Sequence, residues 1–449
     1  MADGAALPAA AGPSWVGETL NGGGRWTVRS RIPLLLGFMM LFDSWDSVVI
    51  AYTLPSIAAE WKLSALQAGW LISAGYGGQF LGAILFGALA ERRGRVPVLR
   101  LLVLVMGLLA LLCAVAEGYE QLMVLRLVQG LAIGGGLPVA TCYINEIAPT
   151  ATRGRFYGSF QFLMVSGFGI AALSSAWLIP QFGWRIMFAL GALPLVTIPL
   201  LYVIPESPRW LAARGRSREA ARALERLGSA PSPRLTEGPD VAVPAPRASA
   251  AELLAPGMRR QSGVMAALWF LTALVSFGLV TWIPSLYVSM FKIPLADALA
   301  YNSIAALSVF VLPILLRQSI DRIGRRPPVI LGTGIGGLAL LALVAVPLDA
   351  RALLVGLSVL GQIGISIGSM VLWPYTAEIY PTRIRSVALG SFASLARGAS
   401  MLTPLVVGGL LELTGSVTPI FWIFGLVSIA VSLLWLLCTQ ETAGRDIDA

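Results

Sequence analysis

Arg31–Trp61 reads RIPLLLGFMMLFDSWDSVVIAYTLPSIAAEW. The stretch is apolar and long enough to cross a bilayer, since about 20 residues rising about 1.5 Å each span the hydrocarbon. Yet Asp43 and Asp46 sit in its middle, three residues apart and so on one helical face. A charge at bilayer depth costs at least about 2.5–3.5 kcal/mol, so such residues face a cavity or a partner. Two close carboxylates in a low dielectric also resist ionising together. The pair therefore reads as a proton-binding site in a membrane protein, against the plainer reading of a structural cap or ion pair.

The rest of the chain fits that solvent. Of its 449 residues, 57% are hydrophobic and 12% charged, against about 25% charged in soluble domains. The net charge of +9 comes almost entirely from arginine. Most arginines fall in alternate inter-span segments, which places those segments and both termini in the cytoplasm and argues against a nucleic-acid surface. Lys62 and Lys292 lie in the opposite loops. Cys113, Cys142 and Cys438 sit in apolar runs and read as buried packing residues with no disulfide framework. There is no histidine, which removes imidazole relays, His-ligated metals and Ser-His catalysis. With no metal cluster, phosphate loop or nucleophile–base pair in the sequence, we expect neither an enzyme nor a cofactor, only a proton gradient as energy source.

Residues 1–30 read as a loose cytoplasmic tail. Six apolar stretches make a first group over 31–204, the later five near 67–90, 98–116, 122–145, 156–179 and 185–204. A polar linker follows over 205–262, whose early part can form a short amphipathic helix and whose later part is Pro/Ala-rich. Six more stretches fill 263–438, near 263–289, 299–319, 328–346, 352–377, 387–413 and 418–438, and 439–449 is a cytoplasmic tail. The halves repeat. GALAERRGR, from Gly87 to Arg95, returns about 230 residues later as SIDRIGRRP, from Ser319 to Pro327, and EIAPTATR from Glu146 to Arg153 returns as EIYPTRIR from Glu378 to Arg385. Two motifs at one offset indicate duplication, hence an all-α membrane protein of twelve helices in two pseudo-symmetric six-helix bundles. In the repeated turns, Gly87, Gly94 and Gly324 allow close packing and reversal. The acids Glu91, Asp321, Glu146 and Glu378 can pair with Arg92, Arg95, Arg153, Arg325 and Arg385. Simple positive-inside topology would need no acids, so the set is expected to form a cytoplasmic gate.

These loops resemble those of the major facilitator superfamily, and the resemblance spans all twelve helices. Arg126-Leu-Val-Gln-Gly130 with Gly134–Gly136 is similar to the fourth span of its sugar-porter and metabolite:proton symporter branches. PESPRWL, from Pro205 to Leu211, resembles their signature after the sixth span. Glu441-Thr-Ala-Gly-Arg445 resembles the sugar-porter tail motif, here without its proline. Asp43-Ser-Trp-Asp46 is similar to the first-span motif of the aromatic acid:proton symporters, with Ser44 in place of glycine. The Trp282-Ile-Pro284 segment and Arg397 also match positions of that branch. The resemblance implies proton-coupled import of a small organic acid, most readily an aromatic carboxylate, across a bacterial-type inner membrane by a carrier functional as a monomer. Asp46 would carry the proton, with Asp43 as coupled neighbour, Arg126 as counter-charge and Arg397 as carboxylate anchor. Trp45, Gln129, Trp282, Asn302, Gln362, Trp373 and Tyr375 are candidate cavity contacts. For tryptophans, packing and interfacial belts are the commoner roles, and mid-span amides such as Gln79 and Gln161 more often glue helices together. Two alternatives stay open, a sugar or polyol symporter and a membrane sensor without net flux. The sensor would need a larger output domain than the tail and linker supply.

Overall fold

A computed structural model describes residues 14–21, 31–149, 152–228, 249–347 and 350–442. The first bundle holds α2 (Ile32–Trp61), α3 (Ala65–Arg93), α4 (Arg95–Ala114), α5 (Tyr119–Ile147) and α6 (Arg153–Phe182). Its sixth span is split into α7 (Arg185–Leu190), a 3-10 turn Leu193–Thr197 and α8 (Ile198–Val203). The sequence reading expects one continuous span there. Pro194 and Pro199 explain the break, because each removes a backbone donor that a continuing helix would need. The second bundle holds α11 (Arg259–Ser289), α12 (Leu295–Ile323), α13 (Arg326–Ala342), α14 (Arg351–Ile379), α15 (Thr382–Thr414) and α16 (Thr418–Cys438). Among the described residues, eleven spans are long and apolar enough to cross a membrane. The twelfth expected position, between α11 and α13, is the 29-residue helix α12.

The tail and linker contain more structure than their composition suggests. Ser14–Asn21 forms α1, and its Val16 and Leu20 are buried in a small core with Trp210, Leu211, Ala220 and Leu224. These come from α9 (Pro208–Ala213) and α10 (Ser217–Arg226). The expectation of a loose tail is therefore corrected for this segment. An apolar pair one helical turn apart anchors it, a signal too short to stand out among Ala and Gly. The Pro/Ala-rich part of the linker, 229–248, lies outside the described residues.

Small residues set the helix spacing. A side chain on Gly78, Gly82 or Gly134 would place its Cβ 2.0–2.1 Å from a backbone oxygen of the facing helix, so α3 and α5 meet backbone to backbone. In the second bundle, Gly364 of α14 meets the Gly332 carbonyl of α13 in the same way.

The two bundles touch on one side of the bilayer. On the face bearing Lys62 and Lys292, Leu66 N donates to Glu412 Oε2 at 3.0 Å, Ser73 Oγ to the Met401 carbonyl at 2.7 Å and Ser303 Oγ to the Ala172 carbonyl at 2.8 Å. Gly69 and Gly408 admit the carbonyls of Pro404 and Ala65 where a Cβ would lie 2.5 Å away. One apolar core runs through both bundles there, whereas the arginine-face end of the second bundle has a core of its own around Trp269, Tyr375, Tyr380 and Trp435. The chain is thus closed at the lysine face.

Candidate functional site

α2 carries the site, and every residue from Met39 to Asp46 is buried. Asp46 is fully buried and Asp43 nearly so. Neither oxygen of the Asp46 carboxyl has a hydrogen-bond partner, nor does Asp43 Oδ1. Glycines make the room. A Cβ on Gly136 would lie 2.9 Å from Asp43 Oδ1, and one on Gly191 2.5 Å from Asp46 Oδ1. The two acids share a helix face but rest against different neighbours, α5 for Asp43 and the broken sixth span for Asp46. Gly191 escapes a sequence reading. Its only signal is a glycine three residues before Pro194 inside an apolar run.

Arg126 of α5 is buried beside them, and its geometry corrects the expected ion pair. Nη2 donates to the Asp46 main-chain carbonyl at 3.1 Å and Nη1 to Gln129 Oε1 at 2.8 Å. Its charge still acts on the Asp46 carboxyl, because the two groups are electrostatically coupled. Gly75 leaves the guanidinium its space, since a Cβ there would lie 3.2 Å from Nη2. Gln129 is thereby a positioning partner of Arg126 rather than a cavity contact. Trp45 is also redirected, because its indole N–H donates to the Met187 carbonyl at 2.9 Å inside the first bundle.

From the second bundle, Arg397 of α15 is half buried and makes no ion pair among the described residues. It is electrostatically coupled to Asp43 across the seam. Trp282 Nε1, Ser285 Oγ and Asn302 Oδ1 are buried without a partner, and the Tyr52 hydroxyl faces Asn302. Tyr76 of α3 meets Phe277 of α11 edge to face at 5.5 Å, and its hydroxyl too is unpartnered. Gln362 is buried in α14. Unpaired polar atoms in an apolar interior are costly, and here both bundles contribute them among the described residues. Tyr52 and Tyr76 are additions to the expected set, since periodicity does not separate a cavity tyrosine from a packing one. Two candidates leave it. Tyr375 donates to the Gln440 carbonyl at 3.0 Å and packs on Trp435, while Trp373 is half exposed against Trp269, both near the arginine face.

The repeated loops form two matching charge clusters at that face. Arg95 bonds Glu146 through Nη2 at 2.9 Å and Glu91 at 2.8 Å, and Arg325 bonds Glu378 at 3.0 Å. Glu206 accepts the N–H groups of Arg95 and Val96 at the start of α4, and Glu441 those of Arg325 and Arg326 at the start of α13. A carboxylate at a helix N-terminus satisfies donors with no intrahelical partner and favours the dipole. Burial pushes the Glu206 carboxyl above its usual range, against the pull of these N–H groups. Gly94 and Gly324 have φ of +102° and +97°, and a Cβ at either would collide with the capping glutamate. That is why glycine is needed at both positions.

Several expectations change here. Every described ion pair of the repeated loops lies within one bundle, so in this conformation they do not bridge the halves as a gate. A Cβ on Gly87 would meet nothing within 4 Å, so close packing does not require glycine there. Arg92 is exposed, and Arg385 donates to the Tyr380 carbonyl rather than to an acid. The side chains of Arg153 and Asp321 lie outside the described residues. Cys113 is buried as expected. Cys142 is half buried against Glu146, and Cys438 is exposed.

The profile of the sugar (and other) transporter family matches residues 35–449. The chain is 30% identical over 430 residues to the niacin transporter NiaP of Acinetobacter baylyi, covering 92% of this chain and 94% of that protein. It is 30% identical over 413 residues to a gallate transporter of Pseudomonas putida, covering 90% of each. A gentisate transporter of Corynebacterium glutamicum is 28% identical over 421 residues, covering 92% and 89%. Among solved structures, a D-xylose-proton symporter superposes with a TM-score of 0.72 at 21% identity, covering 92% of this chain and 98% of that one.

Proposed function

The chain belongs to the sugar (and other) transporter family, within the major facilitator superfamily, and on that premise we propose that it imports an aromatic carboxylate together with protons. It is a membrane transporter and not an enzyme. The finer reading rests on one observation above all, the Asp46 carboxyl, fully buried and with both oxygens unpartnered. An ionised carboxylate left so would cost several kcal/mol, whereas the protonated form is tolerated. Asp46 is then the proton carrier. Arg126, fixed on the Asp46 carbonyl and Gln129, supplies a positive field that favours release once water reaches the site.

Arg397 is the substrate anchor in this scheme. A half-buried guanidinium without an ion pair suits a carboxylate, whose two oxygens match its planar fork. The named substrates of similar carriers, niacin, gallate and gentisate, share an aromatic ring bearing a carboxylate. The unpartnered atoms of Trp282, Asn302 and Tyr76 supply the ring's polar surroundings. The bundles close on each other at the lysine face, which suits a carrier that exchanges substrate at the arginine face. With that face cytoplasmic, the carrier sits in an inner membrane with both termini inside, and acts as a monomer.

The test is uptake by proteoliposomes under an imposed pH gradient, with benzoate, gentisate, nicotinate and xylose as substrates. Concentrative uptake of an aromatic acid that collapses with a protonophore is expected. Concentration of xylose, or acid uptake indifferent to the protonophore, would overturn the reading.

A further inference from the structure

Away from the bundle interior, α4 and α8 enclose a groove of about 320 Å³ lined by Pro97, Arg100, Leu101, Leu104, Ile198 and Tyr202. Arg100 lies five residues into α4, about 7.5 Å below the arginine face at 1.5 Å per residue, which is the depth of a headgroup–acyl boundary. Topology alone would place an arginine in a loop; this one is set in a built pocket. Its Nε and Nη2 both donate to the Leu201 carbonyl, at 3.1 and 2.9 Å. The guanidinium carbon lies 4.2 Å from the centroid of Tyr202. Nη1 has no hydrogen-bond partner among the described residues. Tyr202 is 64% exposed, and Leu101 and Leu104 are also open to the surroundings. A second cation stands at the same helix end, where exposed Arg226 donates to the Val203 carbonyl at 2.6 Å. The nearby acid Glu206 is already engaged by three backbone N–H groups.

We propose that this groove is a binding site for an anionic glycerophospholipid of the leaflet at the arginine face. Its two ends differ in the way such a molecule does. Arg100 and Tyr202 offer a charge and a hydroxyl to a phosphodiester. Leu104 and Ile198, each one helical turn farther into the bilayer, offer a trough to an acyl chain. Two arginines at one helix end favour a headgroup with net negative charge over a zwitterionic one, whose ammonium they repel. A lipid seated there ties α4 to the end of the broken sixth span.

The experiment is native mass spectrometry of the full chain released from micelles containing equimolar phosphatidylglycerol and phosphatidylcholine. The wild type should retain one phosphatidylglycerol at least about tenfold in preference to phosphatidylcholine. Arg100→Gln should lose that preference and Tyr202→Ala should weaken it, while Arg222→Gln, an exposed change on α10 outside the groove, should keep it. If Arg100→Gln does not fold, Tyr202→Ala and Arg100→Lys, which should retain part of the adduct, decide alone. Equal retention of both lipids, or wild-type retention in Tyr202→Ala and whichever Arg100 variant folds, overturns the site. Displacement of the adduct by soluble glycerol 1-phosphate would overturn the lipid assignment in favour of a free phosphate ester.

Discussion

The two bundles are alike at their ends and unlike in their middles. At the arginine face Arg95, Glu146, Gly94 and Glu206 of the first half have their counterparts in Arg325, Glu378, Gly324 and Glu441 of the second, with the same bonds made by the same groups. In the interior the first half holds two carboxyls and a buried arginine, while the second contributes Arg397, Trp282 and Asn302. Duplicated ends hold each bundle as a rigid body, and rigid bodies are what a rocking carrier moves. Divergent middles suit the proposed division, in which one half holds a proton and the other an anion. Identical middles would place like charges opposite each other and could not couple the two.

The largest expected effect tests that division in the second half. Arg397→Gln should weaken binding of an aromatic acid by about 2–5 kcal/mol, the usual cost of truncating one partner of a buried charge pair. The neutral amide analogue should lose little, which equilibrium binding to purified protein measures. If the variant still prefers acid over amide, Arg397 leaves the site and its coupling to Asp43 becomes purely structural.

At the repeated ends the halves should respond alike. Glu146→Gln and Glu378→Gln should each destabilise their own bundle by about 1–3 kcal/mol, because each leaves a largely buried arginine short of a partner. Thermal unfolding in detergent would register the loss, and cysteine labelling from the arginine face would show whether the conformational balance also shifts. Grossly unequal losses would break the equivalence that the geometry indicates.

The middle of the first half should control energy coupling. Across a gradient of one pH unit, a one-proton carrier can concentrate substrate about tenfold, or about 1.4 kcal/mol. Asp46→Asn should abolish that accumulation and keep substrate exchange, since the amide mimics the protonated carboxyl. Concentrative uptake by this variant would move the proton site elsewhere, with Asp43 the next residue to test.

The smallest effect sharpens the comparison at the helix starts. Glu206→Gln and Glu441→Gln keep an acceptor and remove its charge, so each should cost about 0.3–1 kcal/mol, and less as salt rises. Unfolding at low and high ionic strength checks both. A loss in one half alone would mean that only one cap is formed in the membrane.

What the sequence settled by itself follows from composition and spacing. Apolar runs of bilayer length, a 230-residue repeat of charged turns and two acids inside the first span gave twelve helices, two bundles and the helix of the proposed proton site, because hydropathy and i, i+3 placement are local properties of the chain. Glu206 and Glu441 were visible in the sequence only as parts of family motifs. Their work as caps depends on a turn more than 100 residues away. Tertiary structure alone decided that Arg126 grips the Asp46 carbonyl, that Gly191 makes room for the Asp46 carboxyl, and that Trp45 and Tyr375 face other helices. It alone decided which side of the seam is shut. Each of these depends on how helices rotate and approach one another, and a run of apolar residues buried on every side carries no stripe from which that rotation can be read.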